Sequence, residues 1–302
     1  NNAGGAHCLK YGVTTNNLLG VKLVTIEGEI VELGGKHLDA AGYDLLGLVC
    51  GSEGQLGIVT EVTVRILKAP PGARPMLLGF ASNEQAGACV DAIIASGIIP
   101  VALEFMDKPA IHAVEDFVHA GYPRDVEAVL IIEVEGTDAE IDTLLARIAE
   151  IARRFAPSFT RISENAQEAA AIWRGRKAAF GAVGRISPDY ICIDGTIPTS
   201  RLPETLERIR GFAERYGFRI ANIFHAGDGN LHPLILYDAN APGELARAER
   251  CAADILELCV DVGGCLSGEH GVGIEKRDLM AYQFTAVELA LQKRVKAAFD
   301  PK

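Results

Sequence analysis

The clearest structural signal in this chain is Phe224-His-Ala-Gly-Asp-Gly-Asn-Leu-His232. Asp-Gly between strand-like residues predicts a two-residue β-hairpin turn, because a type I′ turn needs positive φ at both central positions. With the turn centred on Asp228 and Gly229, we expect His225 to pair directly with His232. Directly opposed residues share one face of a sheet, so the two imidazoles can bind one divalent metal. Two unrelated histidines at the base of a hairpin are the structural alternative.

Strands and amphipathic helices alternate on the N-terminal side of this hairpin. The predicted strands are Met76–Phe80, Val101–Phe105, Ala128–Val134, Ser158–Ile162, Tyr190–Ile197 and Arg219–Phe224. The clearest helix is Asp138–Phe155, where apolar residues recur at three-to-four spacing and Asp138 occupies the expected cap. Gly20–Ile26 and Gly57–Leu67 resemble strands, and a mainly helical stretch covers Gly243–Phe299. Lys68-Ala-Pro-Pro-Gly-Ala-Arg-Pro75 is predicted to be a linker, because it breaks both helix and strand.

Composition excludes several classes of protein. The chain is 49% apolar and 23% charged, which is typical of a globular protein. Its 302 residues suit two domains of ordinary size, with one large domain as the alternative. With 29 basic and 40 acidic residues the net charge is -11, so we expect no nucleic acid partner. The seven scattered cysteines form no C-x-x-C pair and indicate reduced thiols in the cytosol. No run of about 18 apolar residues is present, so we expect no direct membrane span.

A second motif near the C-terminus carries an adjacent acid and base, Cys265-Leu-Ser-Gly-Glu-His-Gly-Val-Gly273. On an extended chain neighbouring side chains point to opposite sides. Glu269 is therefore predicted to be a third metal ligand beside the two hairpin histidines, which leaves His270 as a proton acceptor. A glycine turn with an exposed acid–base pair is the alternative.

Two further features are weaker when taken alone. Gly51-Ser-Glu-Gly-Gln-Leu-Gly-Ile-Val-Thr-Glu61 suits close approach of backbone amides to phosphate, although a plain β-turn is the alternative. It matches neither the Rossmann nor the Walker pattern. Arg176 is a candidate clamp for a carboxylate, against the alternative of a solvated helix face. The lone Trp173 is interpreted as core.

Together these motifs resemble the FAD-linked 2-hydroxy-acid dehydrogenases, which are vanillyl-alcohol-oxidase-like flavoproteins. The resemblance runs from Asn2-Ala-Gly-Gly5 to Phe299-Asp-Pro-Lys302 and is most specific at His225–Pro233 and Ser267–Gly273. It implies an α+β chain that is truncated at both ends. The expected parts are the C-terminal part of a PCMH-type FAD-binding domain at 1–68, a cap or substrate domain of the FAD-linked oxidase C-terminal type at 69–240, and a helical C-terminal segment at 241–302 that carries the Gly-Glu-His-Gly motif. The cap is expected to be ferredoxin-like, with an antiparallel sheet and helices on one face.

The resemblance also implies roles for individual residues. FAD contacts are expected at Asn2, Gly4, Gly5, Gly51, Glu53, Gly54, Gly57, Ile58 and Val59. His225, His232 and Glu269 are expected to bind a divalent metal, which is Zn, Mn or Fe. The expected catalytic residues are His270 as base, Arg176 on the substrate carboxylate and Asn230 on the substrate.

The activity implied is metal-assisted oxidation of a small 2-hydroxy acid, glycolate or D-lactate, to the 2-oxo acid, with hydride passing to FAD. Relatives that act on 2-hydroxyglutarate carry polar residues where this chain has Phe180 and Cys192, which favours a small monocarboxylate. Partner subunits, including an iron–sulfur protein, are implied, and with them a cytoplasmic location peripheral to the inner membrane. A flavin-independent metallohydrolase and an inactive fragment remain open as alternatives.

Overall fold

The computed structural model describes residues 1–37 and 42–301. They group into two compact units with one sheet each. The first unit contains Asn1–Gly5, Tyr11–Ala69 and Ser267–Lys302, and the second contains Ala6–Lys10 and Pro70–Leu266. None of the helices in the described part of the chain has the length and apolar character needed to cross a bilayer.

Strands and helices alternate along most of the chain. The strands are β1 (Leu18–Val24), β2 (Ile30–Gly34), β3 (Ile58–Val64), β4 (Gly72–Phe80), β5 (Ala102–Asp107), β6 (Ala128–Gly136), β7 (Phe159–Ile162), β8 (Asp189–Cys192), β9 (Arg219–His225) and β10 (Pro233–Tyr237). The helices are α1 (Cys8–Tyr11), α2 (Thr14–Asn17), α3 (Leu45–Val49), α4 (Asn83–Ala95), α5 (Lys108–Val118), α6 (Asp138–Arg153), α7 (Ala166–Val183), α8 (Leu202–Tyr216), α9 (Glu244–Asp261), α10 (Met280–Gln283) and α11 (Ala286–Phe299). The predicted strand Tyr190–Ile197 is confirmed only at its start, because β8 ends at Cys192. The other predicted strands and the clearest predicted helix are confirmed, with shifts of a few residues at their ends.

The first unit is built on a small antiparallel sheet in the order β2-β1-β3. Its core cluster contains Val21, Leu23 and Val49, and Leu56 is also buried. The outer strand β3 is exposed along most of its length, and Ile58 keeps 70% of its surface accessible. This unit therefore has little apolar core of its own among the residues described.

The second unit is built on a seven-stranded antiparallel sheet in the order β7-β4-β6-β5-β9-β10-β8. Met106, Ile131 and Ile223 share the face that packs against α5 and α7. Residues that alternate with these along the strands, such as Phe105 and Phe224, are also buried and stack on each other. Both faces of the sheet are therefore covered, so the expectation of helices on one face is wrong.

The helix α6 begins with a different cap from the one predicted. Thr137, not Asp138, is the N-cap, and its hydroxyl accepts a hydrogen bond from the amide of Glu140. The Glu140 carboxylate in turn accepts one from the Thr137 amide. This reciprocal pair is a capping box, which satisfies two of the amide donors that a helix start leaves open.

The predicted linker 68–75 ends earlier than expected, because β4 already begins at Gly72. Pro75 lies inside the strand, opposite Glu133 of β6. The Pro75 carbonyl accepts a hydrogen bond from Ser163 just beyond the end of β7. In a strand the N and C=O of one residue point to the same side, so the missing N–H of Pro75 faces β7 where that ladder stops. A proline is tolerated there because it removes no bond to β6.

Candidate active site

A row of polar side chains crosses one end of the sheet face that α7 covers. Glu104 of β5 pairs with Ile131 of β6 on one side and with His225 of β9 on the other, so these residues share a face. The row continues to His232, which precedes β10. Three side chains of α7 lie over this row, which also includes Glu133 of β6. Trp173 donates a hydrogen bond to Glu133, and Arg176 donates one to Glu104. The ring of Phe180 contacts the ring of His232 edge-on.

The hairpin that carries the two histidines has a different register from the one predicted. His225 pairs with Asn230, not with His232, and the β9–β10 ladder continues from Asn222 opposite Pro233. The reason is a longer turn: residues 226–228 form a 3₁₀ turn, and Gly229 follows in the left-handed region. The shift is two residues, which preserves the face on which a side chain lies. The rings of His225 and His232 are therefore neighbours, with centroids 5.2 Å apart.

Gly229 fixes this turn for two independent reasons. Its φ of 71° lies in the left-handed region, and a Cβ at this position would collide with the carbonyl oxygen of Ile197. The preceding Asp228 is not an exposed turn residue, because it accepts hydrogen bonds from the thiol of Cys8 and the amide of Asn230. Burial raises the pKa of Asp228 above its ordinary value despite the hydrogen bond from Cys8.

Each of the two imidazoles is held through Nδ1. His225 Nδ1 lies 2.8 Å from Oε1 of Glu104, and His232 Nδ1 lies 3.1 Å from the carbonyl oxygen of Ile193. Both partners are acceptors, so Nδ1 is the donor in both rings, and in a neutral imidazole Nε2 then carries the lone pair. This is the usual arrangement around metal-binding histidines.

Arg176 is buried, so the alternative of a solvated helix face is wrong. Its Nε and Nη2 lie 2.8 and 2.6 Å from Oε2 of Glu104. Glu104 itself is 1% exposed. Burial alone would raise the pKa of this carboxyl, but the charge of Arg176 and the hydrogen bond from His225 outweigh it, so the pKa of Glu104 is lowered. Glu104 is thus an ionised carboxylate that joins the two predicted site residues.

Glu104 and Asp194 were not predicted from the sequence. Glu104 interrupts an otherwise apolar strand, and that isolated charge is the signal that could have revealed it. Asp194 is fully buried, and one of its carboxylate oxygens lies within 4.8 Å of a ring nitrogen of His232. The thiol of Cys192 lies within the same distance of His232. Asn230 is buried, and its side-chain oxygen has no hydrogen-bond partner among the described residues.

These residues fit a divalent metal ion. Two imidazole nitrogens and a nearby carboxylate form the mixed N and O donor set that Zn, Mn and Fe accept. The unpartnered oxygen of Asn230 gives an independent reason to expect a polar ligand at this place, because buried polar atoms are rarely left unsatisfied.

The first unit contains the Gly-Glu-His-Gly motif. The chain bends at residues 268–270. His270 Nε2 therefore approaches Oε1 of Glu269 to 3.9 Å, so the prediction that these two side chains point to opposite sides is wrong. The motif is held by Glu53, whose two oxygens accept hydrogen bonds of 2.6 and 2.8 Å from the amides of Val272 and Gly273. The side chain of Asn1 also donates to the carbonyl of His270.

The predicted FAD residues also lie in the first unit. A Cβ on Gly51 would lie 3.6 Å from Cβ of Asn2, so these two segments are adjacent. At Gly5 and Gly54, apart from the adjacent residues, no atom of residues 1–37 or 42–301 lies within 4 Å of the position that a Cβ would take. Open backbone of this kind fits the approach of a pyrophosphate. Ile58 and Val59 are exposed on β3. The side chain of Glu53 binds the 272–273 backbone, while its contact with FAD stays a prediction.

Comparison with known proteins identifies the family. The sequence profile of the FAD linked oxidases, C-terminal domain, matches residues 69–302. The chain belongs to this family. The glycolate oxidase subunit GlcD of Escherichia coli K12 is 53% identical over 99% of this chain and 60% of that protein. The subunit of the same name from Bacillus subtilis is 36% identical over the whole chain and 64% of that protein. The D-lactate dehydrogenase of Anaerostipes hadrus is 30% identical over 99% of this chain and 65% of that protein.

The fold of this FAD-linked oxidase chain is also similar to that of solved enzyme structures. A p-cresol methylhydroxylase with bound substrate aligns with a TM-score of 0.75 at 16% identity, over 99% of this chain and 66% of that one. An alkyldihydroxyacetonephosphate synthase aligns with a TM-score of 0.67 at 17% identity, over 99% of this chain and 54% of that one. The α+β fold class and the family resemblance are thereby confirmed. The chain spans about 60% of the length of the glycolate oxidase subunit that it matches.

Proposed function

We propose that the protein containing this chain oxidises a small 2-hydroxy acid to the corresponding 2-oxo acid. The observation that carries the proposal is the buried series Arg176–Glu104–His225, with His232 beside it on the same sheet face. It combines a cation for a substrate carboxylate with two imidazoles oriented for a metal. The names of the relatives, glycolate oxidase subunit and D-lactate dehydrogenase, support the same reaction class.

Each residue has a separate task in this reaction. Arg176 binds the substrate carboxylate through Nη1, because its Nε and Nη2 are engaged by Glu104. Asn230 contacts the substrate through its side-chain amide. His225, His232 and Glu269 hold the metal, and His270 accepts a proton from the substrate. The sequence motif and the family support the roles of Glu269 and His270.

Two bound groups complete the chemistry. FAD, when bound to the Gly-rich segments, supplies the hydride acceptor. A divalent metal, when bound, supplies a Lewis acid for the substrate hydroxyl. We propose Zn, Mn or Fe for the metal.

The substrate is proposed to be a monocarboxylate, glycolate or D-lactate. The ring of Phe180 lies 6.3 Å from that of His232 and 5.9 Å from the guanidinium carbon of Arg176. Phe180 thus brings apolar surface close to the carboxylate clamp, and the thiol of Cys192 lies within 4.8 Å of a ring nitrogen of His232. A second carboxylate there would be buried without a partner, which is strongly unfavourable.

Electrons taken up from the substrate require a further acceptor. We propose that partner subunits, including an iron–sulfur protein, supply it, since relatives that are 53% and 36% identical to this chain are named as subunits. We further propose a cytoplasmic location, peripheral to the inner membrane through those partners.

The test uses the intact protein with bound flavin and measures metal per flavin and anaerobic bleaching of the flavin. Glycolate or D-lactate should bleach it with a far higher kcat/KM than D-2-hydroxyglutarate. His225→Ala should lose metal and activity together. His270→Ala should retain both metal and flavin but react about 10²–10⁴-fold more slowly. Equal turnover of the diacid would refute the proposed pocket, and metal-dependent hydrolysis without flavin bleaching would favour the metallohydrolase.

A further inference from the structure

Glu104 is a buried carboxylate with two site residues as partners. It lies in the middle of β5, 1% exposed, on the face that α7 covers. Oε2 accepts hydrogen bonds from Nε and Nη2 of Arg176, and Oε1 lies 2.8 Å from Nδ1 of His225. Glu104 is thus hydrogen-bonded both to a proposed metal ligand and to the proposed substrate clamp.

We propose that Glu104 is a positioning residue. Its carboxylate holds His225 with the proton on Nδ1 and at the same time fixes the orientation of Arg176. The proposal rests on the proposed function only for what His225 and Arg176 then bind. Glu104 itself touches neither substrate nor metal. Its effect is to decide which nitrogen of His225 is available and where the guanidinium points.

The assignment follows from the donors and acceptors around Glu104. A guanidinium has only donors, and an ionised carboxylate has only acceptors. Glu104 therefore presents an acceptor to His225, and Nδ1 must carry a proton to satisfy it. In the neutral imidazole this leaves the lone pair on Nε2, which is the nitrogen that a metal needs. Carboxylate partners of this kind typically change metal affinity about 10–100-fold.

The competing interpretation is that Glu104 and Arg176 form only a structural ion pair between β5 and α7. The variant Glu104→Gln separates the two interpretations, because it conserves shape and leaves one acceptor and one donor. Arg176 can only donate, so it takes the amide oxygen, and the amide NH₂ then faces His225. Nδ1 must become an acceptor, and the ring proton moves to Nε2.

The experiment uses the intact protein, stripped of metal, with ¹⁵N-labelled histidine. Imidazole ¹⁵N shifts report the tautomer of His225, and the His225→Gln variant assigns its signals. Zn²⁺ affinity is measured by competition with a chromophoric chelator. The matched control is Asp107→Asn, a buried carboxylate on the same strand that accepts hydrogen bonds from Ala110 and Asn222.

Glu104→Gln should move the His225 proton to Nε2 and weaken Zn²⁺ binding about 10–100-fold, while Asp107→Asn changes neither. Glu104→Asp, which retains the charge, should restore the Nδ1 tautomer. An unchanged tautomer and unchanged Zn²⁺ affinity in Glu104→Gln would overturn the assignment, as would equal losses in the Asp107→Asn control. If the wild-type protein binds no Zn²⁺ but Glu104→Gln still moves the His225 proton to Nε2, the metal in the proposed function is refuted and the role of Glu104 is supported.

Discussion

A charge inside a protein must be paired, and Arg176 meets that requirement through Glu104. The residue lies on α7 among other basic residues, a pattern that usually indicates a solvated face. Its partner comes from a strand 72 positions earlier in the chain. Local sequence carries no information about that encounter, which is why burial of Arg176 could not be predicted from the helix pattern.

Replacing Arg176 by Lys should weaken substrate binding more than it slows the reaction. Lys is a point donor that cannot bind Glu104 and a substrate carboxylate in the fixed geometry of a guanidinium. Loss of one charge-assisted hydrogen bond should raise KM about 10–100-fold with a smaller change in kcat. The measurement is flavin-linked kinetics with glycolate. Arg174→Lys on the exposed side of the same helix is the control. An equal KM in both variants would contradict the proposed binding of the substrate carboxylate by Arg176.

Asp107 is a second buried carboxyl group, and its ionisation should make the stability of the fold depend on pH. Burial outweighs the hydrogen bonds from Asn222 and Ala110 and raises the pKa of Asp107 to about 7. The folded state therefore binds this proton more tightly than the unfolded state, whose value is 3.8. The stabilisation is complete below the unfolded pKa and is lost as pH rises towards 7.

Between pH 5 and pH 8 this group should reduce the free energy of unfolding by about 2–3 kcal/mol. Asp107→Asn should remove that part of the pH dependence. Urea unfolding of both proteins at the two pH values measures it. If the difference in free energy of unfolding between wild type and variant is the same at pH 5 and pH 8, the Asp107 carboxyl does not titrate between these pH values.

At the scale of elements, the hairpin between β9 and β10 sets the position of both histidines. Gly229→Ala adds left-handed strain and a collision with the Ile197 carbonyl. Gly217→Ala at the end of α8 is a matched control, since its φ is 69° but no atom lies within 4 Å of the added Cβ. Gly217→Ala should lower the free energy of unfolding by about 1 kcal/mol. Gly229→Ala should lower it by at least about 2 kcal/mol more and should also weaken metal binding. Equal unfolding free energies would show that the turn tolerates a side chain.

The same hairpin shows how far sequence reasoning extends. Alternation of apolar residues located the strands, and period two placed both histidines on one face despite a register error of two residues. The turn length could not be predicted, because it depends on the Ile197 carbonyl and on the Cys8 thiol, which come from distant segments. Glu104 was missed for the same reason, because its partners lie far away in sequence. The contact of Glu53 with the 272–273 backbone likewise joins distant segments.

At the scale of the whole chain, the two units differ in how much apolar surface they bury. In the seven-stranded sheet, residues such as Leu77, Phe105 and Ile131 are at most 1% exposed. In the three-stranded sheet, β3 is exposed along most of its length. Opening of a strand costs less where fewer apolar contacts are lost, so local stability should differ between the two sheets.

Hydrogen exchange of the 302-residue chain without FAD should therefore be at least about 100-fold faster in β1–β3 than in β4–β6. This ratio corresponds to about 3 kcal/mol of local opening free energy. Added FAD should slow exchange in residues 51–64, where the Gly-rich loop meets β3, because a ligand stabilises the state that it binds. Peptide-resolved mass spectrometry measures both effects, with AMP as a control that lacks the flavin. Equal protection in the two sheets would refute the difference in local stability, and slowing confined to β4–β6 would place FAD outside the predicted residues.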